Sequence, residues 1–480
     1  MRPSDRMQDY LDQICGQVRW KKAHPVIRKE LQDHLQDQAQ AFEDEGNPPE
    51  KAAEMAVREM GDPVMLGTQF DRCYRPGFNW PILLTTLILI ALGLIARMMM
   101  YSYTGNWFSV GDIVISLLIS AGIVLTVLKI DYTILSKTWL IYGLYVAGML
   151  LFGLLSFSHG RWMLLLSYYK ITAVPIVSAS LIYRFRDGNY LRVMMCFALV
   201  LFPLMAAYGL FAPVLWGMLT ALVIFAAALF TGVFGNIRHR ILTLLLLIFP
   251  FPAAVGWVLL TVPDHRLADR FATLFPRTDP QGYGYVGMLI RNALSQAKWI
   301  GPMENFSELL LPTSGVDHLL TWLICRFGWI SLAIVLALIG LIAAFGIRVY
   351  RRQTGLLSRL LLIGIYAVWG AQAASSLLVG LGVIYTFSYP FPFFGGNMAL
   401  IFNAVLLGFL LSVCQMGTLG SAMENRPFEK VELLRMYQFD GTMIRLEISK
   451  NRILLEHKQK PNNDVAMKLK ERRENQQFNR

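Results

Sequence analysis

Charge is scarce in this 480-residue chain: 16% of residues are Asp, Glu, Lys or Arg against 55% hydrophobic, and the mean hydropathy is +0.46. That balance excludes an ordinary soluble domain. Cysteine is scarce too. Cys15, Cys73, Cys196, Cys325 and Cys414 form no C-x-x-C pair, which argues against a disulfide framework or a metal site. No Walker loop, H-E-x-x-H, G-x-S-x-G or dinucleotide fingerprint occurs, so the common nucleotide, zinc-protease and hydrolase chemistries are excluded. The apolar runs lack the period-2 alternation of an outer-membrane barrel. No apolar run precedes Trp80, so a cleavable signal peptide is not expected.

The chain does hold a series of apolar runs of about twenty residues, each long enough to cross a bilayer as a helix. The expected fold is therefore all-α, a polytopic membrane protein of about ten spans. They are placed near 80–101, 110–129, 138–157, 163–183, 190–210, 213–234, 241–261, 319–347, 360–381 and 397–416. The net charge of +12 does not call for nucleic acid, because the cations cluster in short loops. Lys129 and Lys137, "RFRDGNYLR", "NIRHR", "RVYRRQTGLLSR" and the tail from Arg426 to Arg480 fall on one side, while "YSYTGNWFSVGD" on the other has no Lys or Arg. By the positive-inside rule that puts both termini in the cytoplasm and the basic tail, 419–480, on anionic lipid. The longest connection, 262–317 between spans 7 and 8, then lies outside, and loops of this length are usually functional. In it, "YVGMLIRNAL" has the spacing of a short amphipathic helix at the outer interface.

Residues 1–76 read as a small cytoplasmic helical domain ahead of a transmembrane domain, 77–418. Ile27, Leu31, Leu35 and Phe42 make one apolar stripe, and "NPPEKAAEMAVREMGDP" is bounded by helix-start and helix-stop residues, giving a helical hairpin. So small a unit either closes its own miniature core or completes it on a partner or on the membrane domain. Its "I-x-x-E-L-x-x-H-L" and "A-x-x-x-M-G-D-P" patterns resemble the permease-prefix domain of some bacterial membrane proteins.

A longer resemblance covers about residues 80 to 417. "DRFATLFPRTDPQGYGYVGMLIRNALSQAKWIG" and "LPTSGVDHLLTWLICRFGW" resemble the outer loop and following helix of the FtsW/RodA/SpoVE (SEDS) family. The positions that carry it are Arg270, Pro276, Asp279, Pro280, Gly282, Gly284 and Tyr285, then Leu311, Pro312, Asp317 and Gly328. Pro390, Pro392, Phe393, Gly395 and Gly396 in "YPFPFFGGN", and Arg161 and Trp162 in "HGRWMLLL", match further family segments. The chain departs from the family at Val286, at Cys325 and Arg326 where the family has paired glutamates, and near "YYKITAVP", where no Q-P-S-E segment is found.

The resemblance implies a peptidoglycan glycosyltransferase. It would polymerise lipid II at the outer face, release undecaprenyl pyrophosphate and work beside a class B penicillin-binding protein. The family's essential aspartate falls on Asp317. A carboxylate at a helix lip suits a general base for the attacking sugar hydroxyl, and partial desolvation would raise its pKa. Arg270, Arg291, Lys298 and Arg161 are candidate cations for the pyrophosphate; the sequence requires no cofactor, and a divalent cation, Mg or Mn, is the alternative counter-charge. Bland roles stand beside these. Asp317 suits a helix N-cap, Arg291 a snorkelling cation, Trp162, Trp299 and Trp322 interface anchors, and the Gly395–Gly396 pair a tight turn. Arg326, about two and a half turns into its span, would need a partner inside the bundle. Two other functions stay open, a non-catalytic scaffold for a penicillin-binding protein or lipid II, and a flippase.

Overall fold

The computed structural model describes residues 3–74, 79–104, 110–158, 160–186, 190–206, 211–231, 233, 243–244, 247–248, 285–304, 318–383, 389–394 and 396–424, and the strands of 436–458. Two compact units result, Met1–Glu424 and Asn425–Arg480.

The first unit opens with four short helices, α1 (Pro3–Gln17), α2 (His24–Asp44), α3 (Pro49–Met60) and α4 (Pro63–Cys73). The hairpin read from the sequence is thus half of a larger module. α1 supplies Tyr10, Leu11 and Ile14, which with Val18 just beyond it close over Ile27, Leu31 and Leu35 of α2 and the alanine face of α3. Proline stands in the first turn of α2, α3 and α4, where its missing N–H is no loss. Asp62 caps α4, its carboxylate accepting from the Val64 and Met65 amides.

Eight helices among the described residues are long and apolar enough to cross a membrane. They are α5 (Trp80–Thr104), α6 (Val110–Ile130), α7 (Thr138–Ser158), α8 (Gly160–Arg184), α10 (Phe211–Phe230), α13 (Trp329–Arg352), α14 (Leu356–Gly380) and α15 (Asn397–Glu424), with the shorter α9 (Tyr190–Ala206) beside them. The expected span 241–261 lies outside the described residues apart from a few positions. α8 is the central helix: 83% of its span is buried, against 11% for α6, and it packs on α7, α9, α10, α14 and α15. Position explains composition here. α8 carries Ser167, Lys170, Thr172, Ser178 and Ser180, all buried, because its neighbours are protein and not lipid tails.

The prefix helices are tied to this bundle at one loop. Lys22 Nζ reaches both carboxylate oxygens of Asp131 at 2.7 Å and the Lys129 carbonyl at 3.0 Å, so it neutralises the loop and caps α6 at once. Asp131 is held at φ 70°, ψ 154°, a strained conformation for a residue with a Cβ. The 3-10 turn that comes next, Tyr132–Ser136, is anchored from both sides: the Tyr132 amide donates to Ser412 Oγ of α15, and Ser180 Oγ of α8 donates to the Leu135 carbonyl.

In the second unit, the basic tail expected on anionic lipid contains an antiparallel meander, β1 (Met436–Phe439), β2 (Thr442–Ser449) and β3 (Arg452–Lys458), in the order β1-β2-β3. Its weak alternation is sufficient because adjacent strands pair at short range. Phe439 pairs with Thr442 across the dipeptide Asp440-Gly441, a strong hairpin signal, and Ser449 pairs with Arg452.

Candidate functional site

The apolar run that begins after Asp317 is not one continuous span. After Asp317 comes His318 and then a nine-residue helix, α12 (Leu319–Phe327), which stops at Gly328 before α13 begins. The expected single span 319–347 is therefore two helices. Gly328 sits at φ 90°, ψ 177°, a region essentially reserved for glycine, and an added Cβ would lie 2.5 Å from the Trp299 carbonyl oxygen and 2.7 Å from that of Lys298. Sequence spacing alone cannot reveal this, since the apolar pattern runs through the break.

A broken helix leaves backbone donors and acceptors that must be satisfied. Residues 298–303 do that. The Trp329 and Ile330 amides at the start of α13 donate to the Lys298 and Trp299 carbonyls at 3.1 and 3.2 Å. In return, the Gly301 and Met303 amides donate to the Phe327 and Cys325 carbonyls at the end of α12, at 3.0 and 2.9 Å. The loop thus acts as a backbone splint across the break.

Upstream, α11 (Tyr285–Ser295) is the short helix expected from "YVGMLIRNAL". Its apolar face, Gly287, Ile290, Ala293 and Leu294, is buried, and the helix packs on α12.

The candidate residues fall in several places. Asp317, Arg270, Pro276, Asp279, Gly282, Gly284, Pro312 and Gly395 lie outside the described residues. Arg161 is in the first turn of α8. Arg291 is on α11, its Nε donating to the Gly287 carbonyl one turn back at 3.2 Å. Lys298 pairs with Glu304 at 3.3 Å while its carbonyl serves the splint. Tyr285 opens α11, Pro392 is buried in the turn before α15, and Gly396 ends that turn.

Two expectations are corrected. Trp322, read as an interface anchor, is only 4% exposed and sits inside the bundle, whereas Trp299 at 81% is fully open. Arg326, read as a charge deep in a span, is exposed at the last turn of α12, where the negative end of the helix dipole favours a cation. The break at Gly328 removes the depth that contiguous helical geometry implied. His318, at the entry of α12, is buried, and that burial pushes its imidazole pKa down.

Within the bundle the structure adds polar groups that the sequence reading passed over. Lys170 of α8 is 1% exposed, and Arg97 of α5 is buried with its Nη1 donating to Asn397 Oδ1 at 3.3 Å. Tyr389 links the segment before α15 to two helices: its hydroxyl donates to the Ser167 carbonyl of α8, and its amide to Ser375 Oγ of α14. Trp369, Gln372 and Asn403 form a buried hydrogen-bonded chain between α14 and α15. A signal was available for Lys170 and Arg97, each a lone cation within an apolar run. None was available for the amide chain, which exists only through helix packing.

The site and fold define a polytopic helical membrane protein in which residues 298–303 are stitched to a pair of helices that meet at a break at Gly328. The fold is similar to one already solved: 71% of the chain superimposes on 98% of a chain from a structure described as showing the coordination of polymerization and crosslinking by a peptidoglycan synthase complex, with a TM-score of 0.54 at 18% identity. The Thermus thermophilus rod shape determining protein RodA aligns over the same share with a TM-score of 0.48 at 16% identity. In sequence, 160 residues, 32% of the chain, are 26% identical to FtsW of Synechocystis sp., described as a probable peptidoglycan glycosyltransferase. The match spans 41% of the length of that curated relative. No family model matches the chain.

Proposed function

We propose that the protein is a peptidoglycan glycosyltransferase of the cytoplasmic membrane, polymerising lipid II at the outer face, with both termini in the cytoplasm. The observation that carries this reading is the sequence match to FtsW on a chain with the same fold as a peptidoglycan synthase subunit. In this orientation the α12–α13 break, the 298–303 splint and Asp317 all belong to the outer side.

Asp317 acts as the base. A hydroxyl of the acceptor sugar attacks the anomeric carbon of the donor, its proton passes to the Asp317 carboxylate, and the bond to the pyrophosphate oxygen breaks. The role of the splint is positional. It fixes where α12 ends and α13 begins, and so holds in place the short helix that follows Asp317 in the chain. Arg270, Arg161 and Arg291 supply positive charge for the leaving pyrophosphate, and Lys298, bound to Glu304, contributes less. A divalent cation, Mg or Mn, is the alternative counter-charge for the pyrophosphate. A class B penicillin-binding protein is the proposed partner, consistent with the crosslinking role named for the structural neighbour's complex.

The test uses purified full-length chain, with and without its cognate penicillin-binding protein, given labelled lipid II and read as glycan polymer on a gel. Wild type makes polymer, and Asp317→Ala lowers the rate by about a hundredfold or more. Polymer from the variant at the wild-type rate removes Asp317 from the mechanism. Lipid II binding with no polymer under any partner condition points to a scaffold, and lipid scrambling in liposomes that is indifferent to Asp317→Ala points to a flippase.

A further inference from the structure

The prefix helices leave a groove open on their surface. It runs between α1, α2 and the start of α3 with a volume of about 410 Å³, and its floor is apolar: Leu11, Ala39 and Ala53 are each more than nine-tenths buried. One face of α2 makes a wall. Gln32, Gln36 and Gln40 recur there at every fourth residue, all exposed, and Glu43 and Asp44 follow in the last turn. From Gln32 to Asp44 the wall is about 18 Å long, the length of about three helical turns.

The charge of this wall has one sign. Residues 31–50 hold Asp33, Asp37, Glu43, Asp44, Glu45 and Glu50 and no Lys or Arg, in a chain whose net charge is +12. No Lys or Arg lines the groove among the described residues, and the Arg6 guanidinium on α1 is taken by Glu54 at 3.0 Å. The C-terminal end of a helix carries partial negative charge and favours cations, yet α2 ends in Glu43 and Asp44 with no basic residue in its last turn. These carboxylates oppose the helix they end, so the folding of α2 does not account for them.

Position limits what can fill the groove. Lys22, just ahead of α2, is bound to Asp131 of the bundle, and α2 is about 30 Å long, so the groove lies within reach of about ten extended residues from the membrane domain. Anionic headgroups are repelled by its carboxylates. Cytoplasmic segments that flank the spans of a neighbouring membrane protein are instead enriched in Lys and Arg.

We propose that this groove docks a basic amphipathic helix from the juxtamembrane cytoplasmic segment of a neighbouring membrane protein. The apolar side chains of that helix enter over Leu11, Ala39 and Ala53, the glutamines hydrogen-bond its polar flank, and Glu43 and Asp44 pair with its cations. The proposal rests on the cytoplasmic placement of the prefix helices given above and not on the polymerase reading.

The experiment titrates three fluorescent peptides with the full chain in nanodiscs of zwitterionic lipid and reads anisotropy, with empty nanodiscs as the blank. The first peptide is an alanine-based helix with lysines on one face and an i, i+4 pair of leucines on the other; the second has glutamate for every lysine, and the third serine for both leucines. The first binds, the second does not, and the third binds about tenfold more weakly. Glu43→Gln combined with Asp44→Asn weakens the first peptide about three- to tenfold, while the thermal midpoint stays level or rises because the like charge at the helix end is gone. Gln36→Trp fills the groove without changing charge and lowers the affinity about tenfold; the charge variant decides the matter should Gln36→Trp fail to fold. Wild-type affinity in both variants overturns the groove, as does equal binding of all three peptides. Binding that Gln36→Trp leaves intact and salt removes is diffuse charge attraction and also overturns it. Affinity that falls as the chain is concentrated means that second copies fill the groove, and it overturns the peptide partner. Nanodiscs expose both faces, so the readout is blind to orientation and to lipid II chemistry, and its failure overturns the groove alone.

Discussion

Replacing Gly328 by alanine tests the central structural argument, that a glycine-only backbone and a carbonyl splint together hold the α12–α13 break. Two terms add. Forcing a Cβ into φ 90°, ψ 177° costs about 1–3 kcal/mol by itself. The new Cβ would also stand 2.5 Å from the Trp299 carbonyl oxygen, a backbone atom that cannot rotate away, so residues 298–303 must retreat. Retreat loosens the bonds they make to Trp329 and Ile330, and two net hydrogen bonds are worth about 1–3 kcal/mol. The sum is about 2–6 kcal/mol. Two internal controls separate the terms. Gly301 has φ 93° but nothing near its Cβ position, so Gly301→Ala carries strain alone, about 1–3 kcal/mol. Gly340 is an ordinary helical glycine in open space, and Gly340→Ala is neutral or slightly stabilising. The assay is thermal unfolding in detergent with limited proteolysis of the loop that holds residues 298–303. Gly328→Ala should lower the midpoint most and expose the loop to cleavage. A shift no larger than that of Gly301→Ala would refute the splint.

Single contacts give further expected outcomes. Removing the ion pair between the prefix helices and the bundle, by Lys22→Met and Asp131→Asn in a double-mutant cycle, should reveal a coupling of about 0.5–1 kcal/mol, modest because Lys22 is 38% exposed and screened by water. Asp131→Gly should be less damaging than Asp131→Ala, since only glycine relaxes at φ 70°; equal losses would show that no strain is held there. Burial lowers the His318 pKa below its ordinary 6.5, so the unfolded chain binds a proton that the folded chain refuses. The stability His318 contributes is complete above pH 6.5 and falls as the pH drops below it. The measurement is the unfolding midpoint from about pH 7.5 to about pH 5 in wild type and His318→Asn, and an unchanged slope in the variant would remove His318 as the cause.

Much of the fold was legible in the sequence because membrane spans are written locally. An apolar run of about twenty residues has a favourable transfer free energy whatever its neighbours do, which is why α5, α6, α7, α8, α10 and α14 begin and end within a few residues of the expected limits and α15 begins at the expected residue. Amphipathic spacing identified α11 for the same reason. Of the candidate site, the motif positions could be named, and Gly328 among them proved to be structurally decisive.

The sequence by itself determined the helical membrane class of the protein and the order of the spans that the structure describes, since each depends on residues close together along the chain. Tertiary structure alone decided where the eighth span breaks, because the break is stabilised by carbonyls from residues 298 and 299, about thirty positions upstream. It alone buried Trp322 and exposed Arg326. It also joined Trp369, Gln372 and Asn403, which carry no motif of their own, into an oriented donor. Hydrogen-bond direction is a property of partners, and partners separated by tens of residues are chosen by packing.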